Sequence, residues 1–214
     1  TTCGIQYGHR TQIYYADHML EQIKQFEDKL STFTGAPYVI ATDCCTHALE
    51  ICLRYSKPEK ITSTAFTYLS VPMLFHKLNI TYELTGEEWI GEYKLHGTNI
   101  WDSAWQLSPD MYRQGQVQCL SFGNGKPLDA KRGGCILLDN EEQYLTMKRM
   151  SMDGRDPNIS WKEQDTFILG YHYNMSIEHS IHCSKLLDEY IANEQYQPKA
   201  GNHRDCRELT FDIT

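Results

Sequence analysis

Lys126 stands in a part of this sequence that is suited to covalent chemistry. It follows a strand-like apolar run and a turn that contains Gly123 and Gly125, and Gly133 and Gly134 open the next apolar run. A lysine on a tight loop between two buried strands is partly desolvated, which lowers its pKa and leaves its amine free as a nucleophile. The alternative is an ordinary solvated loop lysine, so the interpretation depends on the residues that accompany it.

Three further predicted strand ends carry distinctive polar or aromatic residues. These segments are residues 43–46, 66–68 and 102–106. In an open α/β sheet, ligands bind beyond the carboxyl ends of the strands. We therefore expect these segments and the Lys126 loop to line one site.

The elements that would position this site follow from hydrophobic periodicity. A helix is predicted over residues 14–34, where apolar residues recur at alternating spacings of three and four. Short apolar runs predict strands at 38–42, 60–66, 80–84, 98–102, 116–122 and 135–139. Helices are predicted from Thr46 and over 72–78, 141–150 and 176–191.

Alternation of strands and helices predicts an α/β fold with a mostly parallel sheet flanked by helices. We expect residues 1–193 to form one large domain and residues 194–214 to form a short polar tail.

Composition narrows the class of protein. The chain has 214 residues, a net charge of −8 and eight cysteines without a disulfide-scaffold spacing. The negative charge argues against a nucleic-acid or membrane-surface binder. With no apolar leader or membrane-length run, we expect a soluble cytoplasmic protein.

Several ordered blocks of the sequence resemble one known family. They are FEDKLSTFTGAPYVIAT, CCTHAL, AFTYLSV, IWDSA, SFGNGK, RGGCILLDN and LGYHYNMS, between about Leu20 and Tyr190. In this order they resemble the DegT/StrS type of pyridoxal 5'-phosphate (PLP)-dependent sugar aminotransferases. The resemblance implies the large domain of PLP-dependent transferase fold type I, with most of the small C-terminal domain missing.

The resemblance implies roles for residues around the cofactor ring. Lys126 matches the Schiff-base lysine, and Asp102 matches the aspartate that faces the pyridine nitrogen and keeps it protonated. Tyr68 and Ala104 match the residues on the two faces of the ring. The alternatives are a turn or cap role for Asp102 and a core role for Tyr68.

The resemblance also implies a phosphate site at the start of the helix near Thr46, with Ser121 as a second ligand. Thr46 could instead be a simple helix cap. Four positions depart from the family, one of which is Asn174, where the family has an arginine. Cys45 replaces a glycine beside the phosphate, Trp105 replaces a glutamine or histidine at the cofactor's phenolic oxygen, and His172 stands in the segment that reaches the neighbouring subunit's cofactor.

The implied function is amino transfer from a glutamate-like amino acid to a nucleotide-linked keto-sugar by a PLP-dependent homodimer. A second hypothesis is a shortened, non-catalytic homologue that binds PLP or a partner chain.

A third hypothesis is a zinc site. It would use His179, His182 and Cys183 on one helix, or His203 and Cys206 in the tail. Scattered surface histidines explain these residues more simply, and we predict no metal.

Overall fold

A mixed β-sheet forms the middle layer of residues 9–212, which the computed structural model describes, with side chains from residue 20 onward. The helices are α1 (His9–Thr34), α2 (Cys45–Ser56), α3 (Ser70–Lys77), α4 (Glu141–Ser151) and α5 (Ile177–Asn193). The strands are β1 (Tyr38–Thr42), β2 (Lys60–Thr64), β3 (Thr81–Thr85), β4 (Tyr93–Lys94), β5 (Ile100–Asp102), β6 (Val117–Ser121) and β7 (Gly134–Leu138).

The five-stranded sheet has the order β1-β7-β6-β5-β4, and β2 and β3 pair separately in parallel. Strand β7 is antiparallel to both β1 and β6, while β5 is parallel to β6. The predicted α/β fold is confirmed, but only β1, β5 and β6 share one direction in this sheet. The chain between β6 and β7 contains no helix that would carry it back across the sheet, so the two strands pair antiparallel.

Helices cover both faces of the sheet. Residues of α2, α3 and α4 form one buried cluster, and residues of α1 and α5 form the other. Strand β7 contributes to both clusters in alternation, with Ile136 and Leu138 on the first side and Cys135 and Leu137 on the second. This period of two is expected of a strand that is buried on both faces.

Most of the predicted elements are present within a few residues of their expected bounds. Helix α1 begins earlier than predicted and ends at Thr34, where Gly35 takes a φ of 75°. The two-residue strand β4 was not predicted. Within the described residues, no helix combines the length and apolarity that crossing a membrane requires.

Candidate active site

Three strands deliver their carboxyl ends to one edge of the sheet. In the strand register, Asp102 of β5 lies beside Cys119 of β6. Gly134 of β7 lies opposite both Ser121 of β6 and Thr42 of β1. The loops that leave β1, β5 and β6 therefore start next to one another, as the sequence predicted.

Asp102 is a buried carboxyl group at this edge, with 6% of its surface exposed. The Tyr93 hydroxyl donates to its Oδ2 over 2.7 Å, and the Ala104 backbone N–H donates to its Oδ1 over 3.1 Å. Burial raises the pKa of Asp102, while the Tyr93 hydrogen bond and the charge of Lys126 oppose this rise. The two hydrogen bonds therefore hold the carboxylate in place. Together with the charge of Lys126 they offset only part of the cost of burying its negative charge.

Lys126 lies close enough to Asp102 for the charges of the two side chains to interact. Its backbone N–H donates to the Gly123 carbonyl over 3.2 Å, and Gly125 has a φ of 77°, which makes the turn tight. Burial lowers the pKa of Lys126, opposed by the charges of Asp102 and Cys45. Its Nζ lies 3.8 Å from the centroid of the Trp105 ring. This amine is thus partly desolvated, as its loop position predicted.

The start of α2 offers backbone donors beside these side chains. Cys44, the N-cap residue, forms no side-chain cap hydrogen bond. The Thr46 and Ser70 hydroxyls lie 2.8 Å apart, and burial together with the charge of Asp102 raises the pKa of Cys45. A helix start of this kind, with a hydroxyl in its first turn, favours an anion.

Gly134 allows β7 to lie against this helix start. A Cβ placed on Gly134 would lie 2.5 Å from the Cys45 backbone nitrogen and 2.8 Å from the Cys44 carbonyl carbon. Only glycine therefore fits between β7 and α2 without a backbone shift.

Two cationic side chains near this helix start were missed at the sequence level. His47 Nδ1 donates to Asp43 Oδ1 over 2.6 Å, and this hydrogen bond is the main cause that raises the pKa of His47 to about 9. Arg132 Nη2 lies 3.0 Å from Asp43 Oδ2, and the His47 ring stacks on Tyr173 at 3.7 Å. One carboxylate thus faces two cations, which leaves a local positive charge. The adjacent KRGG segment was the available signal for Arg132.

Tyr93 and Thr67 were also missed. The Thr67 hydroxyl lies 2.6 Å from the Tyr93 hydroxyl, which donates its only proton to Asp102. Thr67 must therefore donate to Tyr93. Tyr93 stands on the two-residue strand β4, which is too short to give a periodic signal, so its role was not visible in the sequence.

The C-terminal tail lies across this site, which its polar composition did not predict. The Lys199 N–H donates to the Trp105 carbonyl, and the Gly91 N–H donates to the Lys199 carbonyl. Further along, the Cys206 N–H donates to the Ala65 carbonyl. Between these anchors, His203 Nε2 accepts a hydrogen bond from Trp105 Nε1 over 3.4 Å.

The remaining predicted cofactor residues are placed less closely together. Tyr68 is 58% exposed, and its ring centroid lies 6.4 Å from that of His203. Ser121 ends β6, and its Oγ accepts a hydrogen bond from the Gly123 N–H over 3.4 Å. The His172 side chain is 81% exposed and pairs with Asp153 over 3.0 Å. A role for His172 would therefore need a second chain.

The side chains of the zinc hypothesis are not brought together in the described residues. Cys183 is buried in the α1–α5 cluster, while His179 Nε2 contacts the Arg132 carbonyl oxygen at 2.9 Å. His203 and Cys206 lie in the tail and contact different groups.

In that same part of the chain, the one group with metal-like spacing is Asp43, Cys44 and His47. Asp43 already accepts hydrogen bonds from His47 and Arg132, which satisfies its charge without an ion.

Comparison with known proteins identifies a family. The sequence profile of the DegT/DnrJ/EryC1/StrS aminotransferase family matches residues 16–81 and 111–195. These ranges contain Thr46, Tyr68, Ser121, Lys126 and His172, whereas Asp102, Ala104 and Trp105 lie in the segment between them. No curated protein sequence matches the chain.

Solved structures of similar fold are aminotransferase-like enzymes of low sequence identity. The structure of 3-amino-5-hydroxybenzoic acid synthase has a TM-score of 0.62 and 19% identity, covering 90% of this chain and 65% of that one. The sugar aminotransferase CalS13 from Micromonospora echinospora has a TM-score of 0.64 and 14% identity, over 84% of this chain and 65% of that one.

PseC of Helicobacter pylori, an aminotransferase of pseudoaminic acid biosynthesis, has a TM-score of 0.65 and 14% identity, over 84% of this chain and 62% of that one. The chain thus spans slightly under two thirds of the length of these enzymes. The likeness in structure confirms the fold of PLP-dependent transferases of type I, and the match in sequence is more specific. The chain belongs to the DegT/DnrJ/EryC1/StrS aminotransferase family.

Proposed function

We propose that this protein is a PLP-dependent aminotransferase that moves an amino group from a glutamate-like donor to a nucleotide-linked keto-sugar. One observation carries the proposal: the Lys126 amine and the Asp102 carboxyl share one desolvated site at the carboxyl edge of the sheet, and each shifts the pKa of the other. Titratable pairs whose pKa values are shifted by burial and by each other's charge are concentrated at catalytic sites.

The residues of the site fit PLP. A buried carboxyl suits a protonated ring nitrogen, a partly desolvated lysine suits an aldehyde, and a helix start without a side-chain cap suits a phosphate. When bound, PLP supplies a ring that accepts electrons from the substrate carbon.

Each residue has a distinct role in this proposal. Asp102 would hold the ring nitrogen, and Tyr93 would orient that carboxylate through the hydrogen bond it already donates. The Lys126 Nζ would bind the aldehyde carbon, with the aldehyde oxygen leaving as water, and would move a proton at the substrate carbon once the donor's amino group has displaced it. Overall, the amino group replaces the keto oxygen of the acceptor, and the donor leaves as a 2-oxo acid.

Five further residues of the resemblance would complete the cofactor site. Thr46 and Ser121 would bind the phosphate, with Cys45 beside it. Tyr68 and Ala104 would lie on the two faces of the ring. The Ala104 backbone N–H donates a hydrogen bond to Asp102, which supports a position of Ala104 beside the ring.

Trp105 would face the phenolic oxygen of the cofactor. Its indole N–H can donate one hydrogen bond but cannot accept one. Because that N–H contacts His203 here, it would have to change partner for this role.

We further propose a cytoplasmic homodimer in which His172 reaches the partner's phosphate. The exposure of His172 supports this role, since 81% of its side-chain surface is accessible and its ion pair is with Asp153. Sedimentation of the purified protein tests the dimer. A His172→Ala variant should bind PLP more weakly, and unchanged affinity would contradict the role.

A second candidate function is binding of PLP without turnover. The tail that lies over Trp105 and the departures at Cys45 and Trp105 favour it. The two candidates differ in a single measurement, the absorbance change of the PLP-loaded protein on addition of glutamate.

For the aminotransferase, glutamate should convert the yellow PLP-loaded protein to the pyridoxamine form. Asp102→Asn should slow this conversion by about 10²- to 10⁴-fold, because the ring nitrogen loses its carboxylate. Asp188→Asn is the matched control, since Asp188 pairs with Lys29 on the surface. Bound PLP that does not respond to glutamate would exclude the aminotransferase and support the second candidate.

A further inference from the structure

Residues 198–208 cross the candidate site as a strap that is fixed at both ends. Near its start, Lys199 exchanges backbone hydrogen bonds with Gly91 and Trp105. Near its end, Cys206 is 2% exposed and donates its backbone N–H to Ala65 and its thiol to the Thr67 carbonyl. The strap therefore connects the loops that follow β2 and β5.

His203 lies in the middle of the strap, among aromatic side chains. Its ring lies 6.1 Å from that of Trp89 with an interplanar angle of 16°, and 6.4 Å from those of Trp105 and Tyr68. Trp89 is itself fixed, because its Nε1 donates to the Phe66 carbonyl over 2.7 Å. These aromatic side chains thus fix the position of the imidazole ring.

The same imidazole is connected to Lys126. Burial and the charge of Lys126 lower the pKa of His203, which favours the neutral ring. Its Nε2 can then accept the hydrogen bond from the Trp105 indole N–H. The Lys126 Nζ lies over the ring of that same Trp105 at 3.8 Å. His203, Trp105 and Lys126 therefore form one continuous set of contacts.

We propose that residues 198–208 form the substrate-side wall of the site and that His203 is the positioning residue that latches this wall over Lys126. Cofactor and substrate must then pass the strap on their way in and out. The inference rests on the proposed function for the identity of the cofactor, but the docking of the strap can be tested without any ligand.

Two variants release the latch in different ways. His203→Ala removes the imidazole. Gly201→Ala keeps it, but the new Cβ would lie 2.6 Å from His203 Cδ2 and 3.0 Å from Trp89 Cζ2, so the ring must leave its position. His203→Gln restores an acceptor for the Trp105 indole and should recover part of the latch.

Matched controls separate the latch from general effects of substitution. Gly86→Ala adds a Cβ whose nearest atoms are the flexible guanidinium of Arg207, at the end of the strap, at an ordinary 3.6 Å, so it should leave His203 in place. His182→Ala removes an exposed histidine of α5 that is remote from the strap in sequence and whose ring contact is with His179.

The first experiment uses the protein without ligand. Trypsin should cut after Arg204 about fivefold faster in Gly201→Ala and His203→Ala than in the wild type, the effect expected of losing one neutral hydrogen bond. The tryptophan emission should shift to the red as Trp89 and Trp105 gain water. Unchanged cleavage and emission in both variants would overturn the latch.

The second experiment adds PLP and follows its binding and release by stopped flow. Both variants should bind and release PLP faster, each by about fivefold, with little change in affinity, because a gate acts on both rates. If both variants bind and release PLP at the wild-type rates, the strap is not a wall of the site, although the cofactor site itself would still stand. Protection of Arg204 without any PLP binding would instead overturn the proposed cofactor and leave the latch standing.

Discussion

At the scale of single residues, the site depends on opposing effects of burial and charge. Burial favours the neutral forms of both Asp102 and Lys126, while each charge favours the ionised form of the other. Tyr93 shifts this balance, because its hydroxyl donates to the carboxylate. A buried carboxylate is sensitive to such a donor, since an uncompensated charge in the interior is costly.

The Tyr93→Phe variant tests this balance. Loss of the donor leaves a buried carboxylate less satisfied and should lower the free energy of unfolding by about 1–3 kcal/mol at pH 7. The pKa of Asp102, already raised, should rise further. Because a raised carboxyl pKa disfavours the folded state only where the unfolded state is ionised, the loss should grow as pH rises above the usual value of about 4.

Urea unfolding of both proteins across this pH range measures the effect. A Tyr112→Phe variant serves as the control, since Tyr112 donates to the Gln116 carbonyl away from Asp102. A stability difference that does not change with pH would show that Tyr93 acts by packing alone.

At the scale of elements, the first turn of α2 is held by an ion pair. His47, raised to a pKa of about 9 chiefly by its hydrogen bond to Asp43, is protonated at neutral pH. A raised histidine pKa stabilises the folded state fully below about pH 6.5, and this contribution is lost as pH rises toward 9.

Replacement of His47 by asparagine should therefore destabilise the protein at pH 6 but not above pH 9. We expect a difference of about 1–2 kcal/mol at pH 6, since the pair is partly exposed to solvent. Thermal or urea unfolding at the two pH values checks this. An equal loss at both would contradict the ion pair as its cause.

The contact between β7 and α2 gives a second prediction at this scale. Gly134→Ala should displace the start of α2 and destabilise the fold by about 1–3 kcal/mol, because the Cβ meets backbone atoms that cannot rotate away. Affinity for inorganic phosphate or PLP should fall with it. Gly86→Ala should have little effect on either, and equal effects of the two variants would contradict a specific role for Gly134.

Element types were readable from the sequence because the strands are short apolar runs with clear ends. Strand β1 lies at residues 38–42, as predicted. The direction of β7 was not readable, since periodicity is the same for parallel and antiparallel strands. Strand β4 and the docking of the tail depend on contacts between distant residues, and those contacts leave no local pattern.

The residues of the site likewise divide into those that local position predicts and those that depend on contacts between distant residues. Asp102 and Lys126 stand at strand ends, so position alone predicted that they would meet. Tyr93 and His203 act through hydrogen bonds that cross 9 and 98 residues of sequence. No spacing rule connects such pairs, so the structure was needed to find them.

At the scale of the whole molecule, a chain with a net charge of −8 gathers positive charge at one edge of its sheet. Lys126 and Arg132 lie on the loop between β6 and β7, and protonated His47 lies in the first turn of α2 beside it. The tail then covers this edge rather than extending from the domain. Sheet direction, helix start and tail therefore bring these positive charges to the same edge as the proposed phosphate site.

Borohydride reduction of the PLP-loaded protein shows directly whether Lys126 anchors the cofactor. The purified protein is incubated with PLP, reduced with borohydride, digested and mapped by mass spectrometry. Lys131 provides a matched control on the same loop, because its Nζ is exposed and pairs with Asp129. We expect one pyridoxyl group on Lys126 in the wild type and in Lys131→Ala, and none at that site in Lys126→Ala. A label on Lys131, or one spread over surface lysines with Lys126 unmodified, would contradict it.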